Sequence, residues 1–182
     1  VRVLIVRPAP GNSGTAEGVA ALGLDPVVVP LFEVVPVTWD APDPSGFDAI
    51  VMTSANVARH GGDGLVRFTH LPLFAVGEAT AEAARQAGFR DVRTGHGDAA
   101  DVGRKLSGRI LHLSGSDHRS VPTSATVTVV PVYEARQLAP SAPLAADVAL
   151  VHSPRAGARL AELFVDRATT QIVAISAAAA HA

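Results

Sequence analysis

Two serines, four arginines and one tyrosine are the residues whose types and spacing could do chemistry. Ser54 and Ser153 each follow an apolar run, in Thr53-Ser54-Ala55-Asn56 and His152-Ser153-Pro154-Arg155. A serine at such a place caps the helix that follows, and proline suits the first helical position. Gly77 closes another run, in Val76-Gly77-Glu78-Ala79-Thr80. Helix N-termini offer free N–H groups and partial positive charge, so these turns suit carboxylates or phosphates. Arg7, Arg59, Arg119 and Arg155 lie at or just beyond such run ends and together point to an anionic ligand, although the formal net charge is −2. Capping alone explains either serine, and solvation explains any single arginine. Their recurrence at one kind of position argues for a site. Tyr133 is the sole tyrosine. Its hydroxyl could serve as a weak acid or hydrogen-bond donor, or its ring as a half-buried aromatic and nothing more.

Other chemistries are poorly provided for. With no cysteine there is no disulfide, thiolate metal site, iron–sulfur cluster or thiol nucleophile. The seven histidines (60, 70, 96, 112, 118, 152, 181) show no HxxxH or HExxH spacing, so no metal site is indicated. Lys105 is the single lysine, hence the single Schiff-base candidate. There is neither a G-x-S-x-G elbow nor a P-loop. Gly95-His96-Gly97-Asp98-Ala99-Ala100 matches a dinucleotide pattern by letter, but it follows a very short strand and opens no first βαβ unit. Asp98 reads instead as a helix cap. The slightly negative balance argues against a general nucleic-acid binder. No apolar run approaches the ~18–20 residues of a membrane span. Val1–Val6 reads as a strand and not a signal peptide, so the chain is expected in the cytoplasm.

The elements that must position these residues are short. Apolar runs occur at 2–6, 26–30, 49–53, 73–76, 91–94, 109–113, 126–130, 147–152 and 171–175. Helical stretches follow many of them, as at 80–87, 99–106 and 155–164. Unalternating apolar strands separated by helices predict parallel sheets covered on both faces, with ligands at the strands' carboxyl ends. Nine strands in 182 residues fit two small sheets better than one.

Internal similarity also predicts two sheets. Asp48–Asn56 resembles Asp147–Arg155, and Phe74–Ala79 resembles Val173–Ala178, both 99 residues apart. Val29–Glu33 resembles Val130–Glu134 at an offset of 101, and Arg2–Leu4 resembles Arg109–Leu111 at 107. The order of the pieces implies two similar flavodoxin-like parallel-sheet α/β domains related by permuted duplication. A continuous central domain spans 36–131, and a discontinuous outer domain combines 1–35 with 132–182. Extended crossings at 31–37 and 132–138 would form a two-stranded β ladder and a hinge. By the same repeat, the outer domain lacks a final strand and helix, about 25 residues beyond Ala182.

Taken in order, these segments resemble the uroporphyrinogen-III synthase family over nearly the whole chain. The resemblance rests on Arg7-Pro8, Val29-Pro30-Leu31-Phe32-Glu33, Thr53-Ser54-Ala55-Asn56, Ala75-Val76-Gly77-Glu78-Ala79-Thr80, Gly95-x-Gly97-Asp98-Ala99, Val132-Tyr133-Glu134 and His152-Ser153-Pro154-Arg155. It implies two α/β domains joined by a two-stranded ladder, with the active site in the cleft between them. The implied reaction takes linear hydroxymethylbilane, eliminates its terminal hydroxyl as water and closes the ring with inversion of ring D. No metal or organic cofactor is called for. Tyr133 matches the tyrosine proposed to assist loss of the hydroxyl. Thr80, Ser54 and Ser153 match positions expected to contact the substrate, with backbone at Gly77, Asn56 and Arg155. Arg7, from its place at a strand end, is counted as a substrate contact beside them. Ser176-Ala177-Ala178-Ala179 departs from the family pattern, where a hydroxyl-bearing turn is usual. A monomer that receives its substrate from hydroxymethylbilane synthase is the matching expectation. The competing one is a non-catalytic two-domain hinge protein that binds or senses an anionic small molecule. Tyr133 is needed only by the enzyme.

Overall fold

Strand-forming apolar runs alternate with helices along the chain, as parallel pairing requires. A computed structural model describes residues 1–95, 98–164 and 170–181. In chain order the elements are β1 (Arg2–Ile5), α1 (Gly11–Ala21), β2 (Asp25–Val28), β3 (Phe32–Pro36), β4 (Ala49–Met52) and α2 (Asn56–His60). There follow β5 (Leu73–Ala75), α3 (Glu78–Gln86), β6 (Val92–Thr94), α4 (Ala99–Lys105), β7 (Arg109–Gly115) and β8 (Thr126–Gln137). The last are β9 (Val148–Val151), α5 (Pro154–Leu163), β10 (Gln171–Ala174) and α6 (Ala177–Ala180). Short 3-10 segments cover Pro44–Gly46 and Gly62–Phe68.

The chain divides into two compact units, Val1–Val34 with Arg136–Ala182, and Val35–Ala135. The first holds a sheet of order β10-β9-β1-β2. A six-stranded sheet has the order β3-β8-β7-β4-β5-β6. Pairings β1–β2, β1–β9, β9–β10, β4–β5, β4–β7, β5–β6 and β7–β8 are all parallel. Both passages of the chain between units fall inside strands, β3 and β8, which are neighbours at one edge of the larger sheet.

Nine strands are expected, and the described residues form ten. Residues 31–37, expected as an extended crossing, contain β3, and the expected strand at 126–130 runs on unbroken through its crossing as the 12-residue β8. Beside another strand, an extended segment gains ladder hydrogen bonds, which prolines at its margins do not prevent. Helix α1 follows β1 without a legible signal. Its Gly11, Gly14 and Gly18 weaken helix propensity, and only Val19 is buried.

Alternation along the central strands explains why both faces of the larger sheet are apolar. Ile50 and Met52 of β4 join Leu73 and Ala75 of β5 and Leu111 and Leu113 of β7 in one core, with Val57 of α2, Phe68 and Phe89. Ala49, Val51, Phe74 and Ile110 point the other way, into a second core with Val102, Leu106 and Val121. Successive strand residues face opposite sides, so a strand buried on both shows no polar alternation. In the first unit, Val3 and Ile5 of β1 pack with Val19 of α1.

Gly103 is the tightest point of the second core. A Cβ there would overlap the backbone carbonyl of Pro122. Helix propensity alone makes Gly103→Ala worth up to ~1 kcal/mol of added stability. The overlap with rigid backbone reverses the sign, and we expect a loss of about 1–3 kcal/mol. Urea denaturation decides between them, and a gain in stability would show that the backbone yields.

Candidate active site

Parallel register sets which residues meet at the rim of the six-stranded sheet. Met52 is opposite Ala75 on one side and Leu113 on the other, and Leu113 is opposite Val130. Two residues further on, the level holds Ser54, Gly77, Gly115 and Tyr133. Tyr133 reaches this level because β8 carries a bulge. Ser114 pairs with Pro131 but Gly115 pairs with Tyr133, leaving Val132 as the extra residue. Pro131 has no N–H to give to the ladder, which suits it to such a place. The bulge brings both Val132 and Tyr133 against the core that contains Leu111 and Leu113.

The Tyr133 ring is half-buried and closely seated. It lies over Gly115, where a Cβ would stand 2.7 Å from Cε2 and Cζ and 3.0 Å from the hydroxyl oxygen. The His60 ring, from the end of α2, flanks it with centroids 6.3 Å apart and planes tilted by 41°. Burial, and then the Arg59 charge, hold the His60 pKa below its ordinary value. No described residue takes the Tyr133 hydroxyl as a hydrogen-bond partner.

The other rim positions are occupied by backbone work. Ser54 stands one residue before the N-cap of α2, Ala55, and not at the cap itself as its sequence context predicts. Its Oγ still accepts the Asn56 N–H at 3.2 Å. Arg59 donates to the Asn56 side-chain oxygen at 3.3 Å. Gly77 is the extended N-cap of α3, and its carbonyl accepts the Thr80 and Ala81 N–H groups at 3.0 Å. Thr80 lies in the first turn of α3 and is only 7% exposed. Asp98 caps α4 by accepting the Ala100 N–H at 2.9 Å, as its sequence context predicts; His96 and Gly97 of that motif lie outside the described residues.

On the opposite face of the same sheet, His112 is 1% exposed. Its Nε2 and the Thr53 Oγ1 are 3.5 Å apart, and the His118 ring meets it edge-on at 5.6 Å between centroids. Burial, reinforced by His118, lowers the His112 pKa to about 4, so the imidazole is neutral near pH 7.

In the first unit, the ends of β1 and β9 bring Arg7 and His152 to one level. Burial, and then the Arg7 charge, lower the His152 pKa. Arg7 folds back on α1, donating to Thr15 Oγ1 at 3.2 Å, and its guanidinium occupies the space a side chain on Gly11 would need. Ser153 caps α5 by accepting the Ala156 N–H at 3.2 Å, with Pro154 at the first helical position. Ser176 does the same for α6 through the Ala179 N–H at 3.3 Å. The Arg155 guanidinium lies 4.8 Å above the Phe32 ring centre, a cation–π contact. Arg119 and Arg59 are exposed, and Lys105 pairs with Asp101 at 2.9 Å.

Sequence reasoning thus located strand ends but missed Gly115, His60 and Ser176 as parts of the rims, and His112 as a buried imidazole beneath one of them. Ser176 had a usable signal, a serine closing an apolar run. The others owe their places to register.

These features define a two-unit α/β protein with parallel sheets whose carboxyl rims carry capped helix N-termini and one seated phenol. Residues 13–182 match the uroporphyrinogen-III synthase (HemD) family, and the chain belongs to that family. Solved structures share the fold. A mutant uroporphyrinogen III synthase from the extremely thermophilic bacterium Thermus thermophilus is 16% identical, with 100% of this chain and 87% of that one covered and a TM-score of 0.61. The uroporphyrinogen-III synthetase of Helicobacter pylori 26695 is also 16% identical, with 96% and 84% covered and a TM-score of 0.65. No curated protein matches the chain in sequence. Among the described residues, no helix is long and apolar enough to cross a membrane.

His112 makes stability depend on pH. Its proton affinity is near pH 6.5 when unfolded and about 4 when folded. Above 6.5 neither state holds the proton. Between those values only the unfolded chain takes it up, so stability falls on acidification by up to ~1.4 kcal/mol per pH unit, and levels off below about 4. Urea denaturation at about pH 7, 5.5 and 4.5 should show this component in the parent and lose it in His112→Asn. Equal pH dependence in both would place the imidazole in solvent.

Proposed function

We propose that Tyr133 is the acid of a cyclising lyase that converts hydroxymethylbilane to uroporphyrinogen III. The family match over residues 13–182 carries the activity. The role of Tyr133 is supported by its hydroxyl, which stands at a strand-end rim without a protein partner among the described residues. In the reaction the terminal carbon–oxygen bond breaks and the hydroxyl leaves as water. The Tyr133 phenol lends a proton to that oxygen. The freed methylene then bonds to the substituted α-carbon of ring D, and the bond from that carbon to its original bridge breaks. The bridge rejoins ring D at its unsubstituted α-carbon, which sheds the one proton that restores the phenol.

Unassisted closure yields the type I isomer, so the protein's principal task is to hold the chain in the folded shape that leads to inversion. Proximity and water exclusion carry most of such a barrier change, and acid assistance adds to it. The substrate's eight carboxylates fit rims built from helix N-termini and arginine. Ser54, Asn56, Gly77 and Thr80 on one unit, and Arg7, Ser153 and Arg155 on the other, are the residues we assign to substrate binding. Their hydroxyls are already acceptors for backbone N–H at Ser54 and Ser153, which leaves the hydroxyl protons of both free to be donated to a carboxylate. The reading further takes the protein as a cytoplasmic monomer supplied by hydroxymethylbilane synthase.

Product analysis tests the activity. Hydroxymethylbilane generated in place by its own synthase, then oxidised and resolved by chromatography, should give type III uroporphyrin when this protein is present. Type I alone would refute the assignment. Tyr133→Phe keeps the ring and removes only the hydroxyl. We expect kcat to fall several-fold or more, short of the ~10²–10⁴-fold typical of a dominant general acid, with the fold intact. An unchanged rate removes Tyr133 from the mechanism.

A further inference from the structure

Gly115 is a glycine that the backbone itself does not require. It closes a β-strand, and its φ lies outside the left-handed region where glycine is favoured. In a strand interior glycine is a cost, because it orders more backbone and packs no side chain. What forbids a larger residue here is one neighbour. The atoms nearest to the missing Cβ are Cε2, Cζ and the hydroxyl oxygen of Tyr133, the first two at 2.7 Å. Aromatic carbons and a methyl group do not approach that closely, so any side chain at 115 must push the ring away.

The ring has little room to go. On another side stands His60, with ring centroids 6.3 Å apart, inside the range of aromatic pairing. Beneath it lies the core of Leu111, Leu113 and Val132. The ring is therefore bounded by a bare strand, an imidazole and a packed core, with the phenol end at the rim.

We propose that Gly115 and His60 are positioning residues for the reaction, which together fix the direction of the Tyr133 hydroxyl. This rests on the acid role given to Tyr133 above. Neither residue needs to touch the substrate. Their effect is geometric, and displacement of a reacting group by about 1 Å can cost as much as ~10²-fold in rate.

The test is a double-mutant cycle on kcat for type III product. Gly115→Ala should lower kcat about as far as Tyr133→Phe does, and should lower it no further when added to Tyr133→Phe. The ring and its collision with the new methyl persist in that background, so any general damage to the fold appears in both while loss of hydroxyl aim appears in only one. His60→Ala, at the end of a short helix, removes the flanking ring without creating overlap and should behave in the same way. Tyr133 is the single tyrosine, so protein carrying ring-¹³C tyrosine gives the ring signals of one residue, which should shift in both variants. Equal fold-losses with and without the hydroxyl would overturn the proposal, as would full activity of both Gly115→Ala and His60→Ala beside a slowed Tyr133→Phe. Full activity of Tyr133→Phe would instead remove the acid role itself, and the seat's purpose with it.

Discussion

Parallel register is the constraint on which the larger unit depends. Because β4, β5, β7 and β8 start from matched positions, their alternate side chains fall into the same two layers, and each layer closes on its own helices. A slip of one residue in β4 would exchange Ile50 and Met52 for Ala49 and Val51, mismatching both cores at once. The same register ends the strands at one level. The rim is thus a by-product of the packing that holds the sheet together, and its precision comes from the core.

Among the described pairings of these strands, the bulge after Pro131 departs from that register, and it re-aims a residue at the rim. An unbroken ladder would set Val132 opposite Gly115 and turn Tyr133 to the face that carries His112. The extra residue keeps Tyr133 on the side of His60 and Gly115. A residue that cannot donate to the ladder sits at the irregularity. The bulged strand re-aims the only phenol in the chain.

Electrostatically, the rims are mild. They offer capped helix N-termini, an arginine held on Thr15, another stacked on Phe32 and a histidine, His152, whose proton affinity burial lowers. Such surfaces suit a ligand with many dispersed carboxylates better than one concentrated charge, because each contact is weak and separately placed.

The amino-acid sequence by itself determined the central strands, since runs such as Ala-Ile-Val-Met and Arg-Ile-Leu-His-Leu have no amphipathic alternative and must be buried on both faces. It also determined the caps at Asp98 and Ser153, where a short polar side chain acts on its own helix two or three residues away. Those are local effects, readable from spacing. Helix α1 was not legible, because glycine-rich and mostly exposed residues leave no periodic stripe, and it forms against β1 and β2. Ser54 was misread by one residue, a difference within the turn that no pattern resolves. Only the tertiary structure decided that Gly115 meets Tyr133, that His60 flanks the ring and that His112 is buried beside Thr53. The partners in these pairs lie 18 to 73 positions apart in the chain, and their meeting depends on strand order, register and one bulge. Strand propensity carries no information on any of the three.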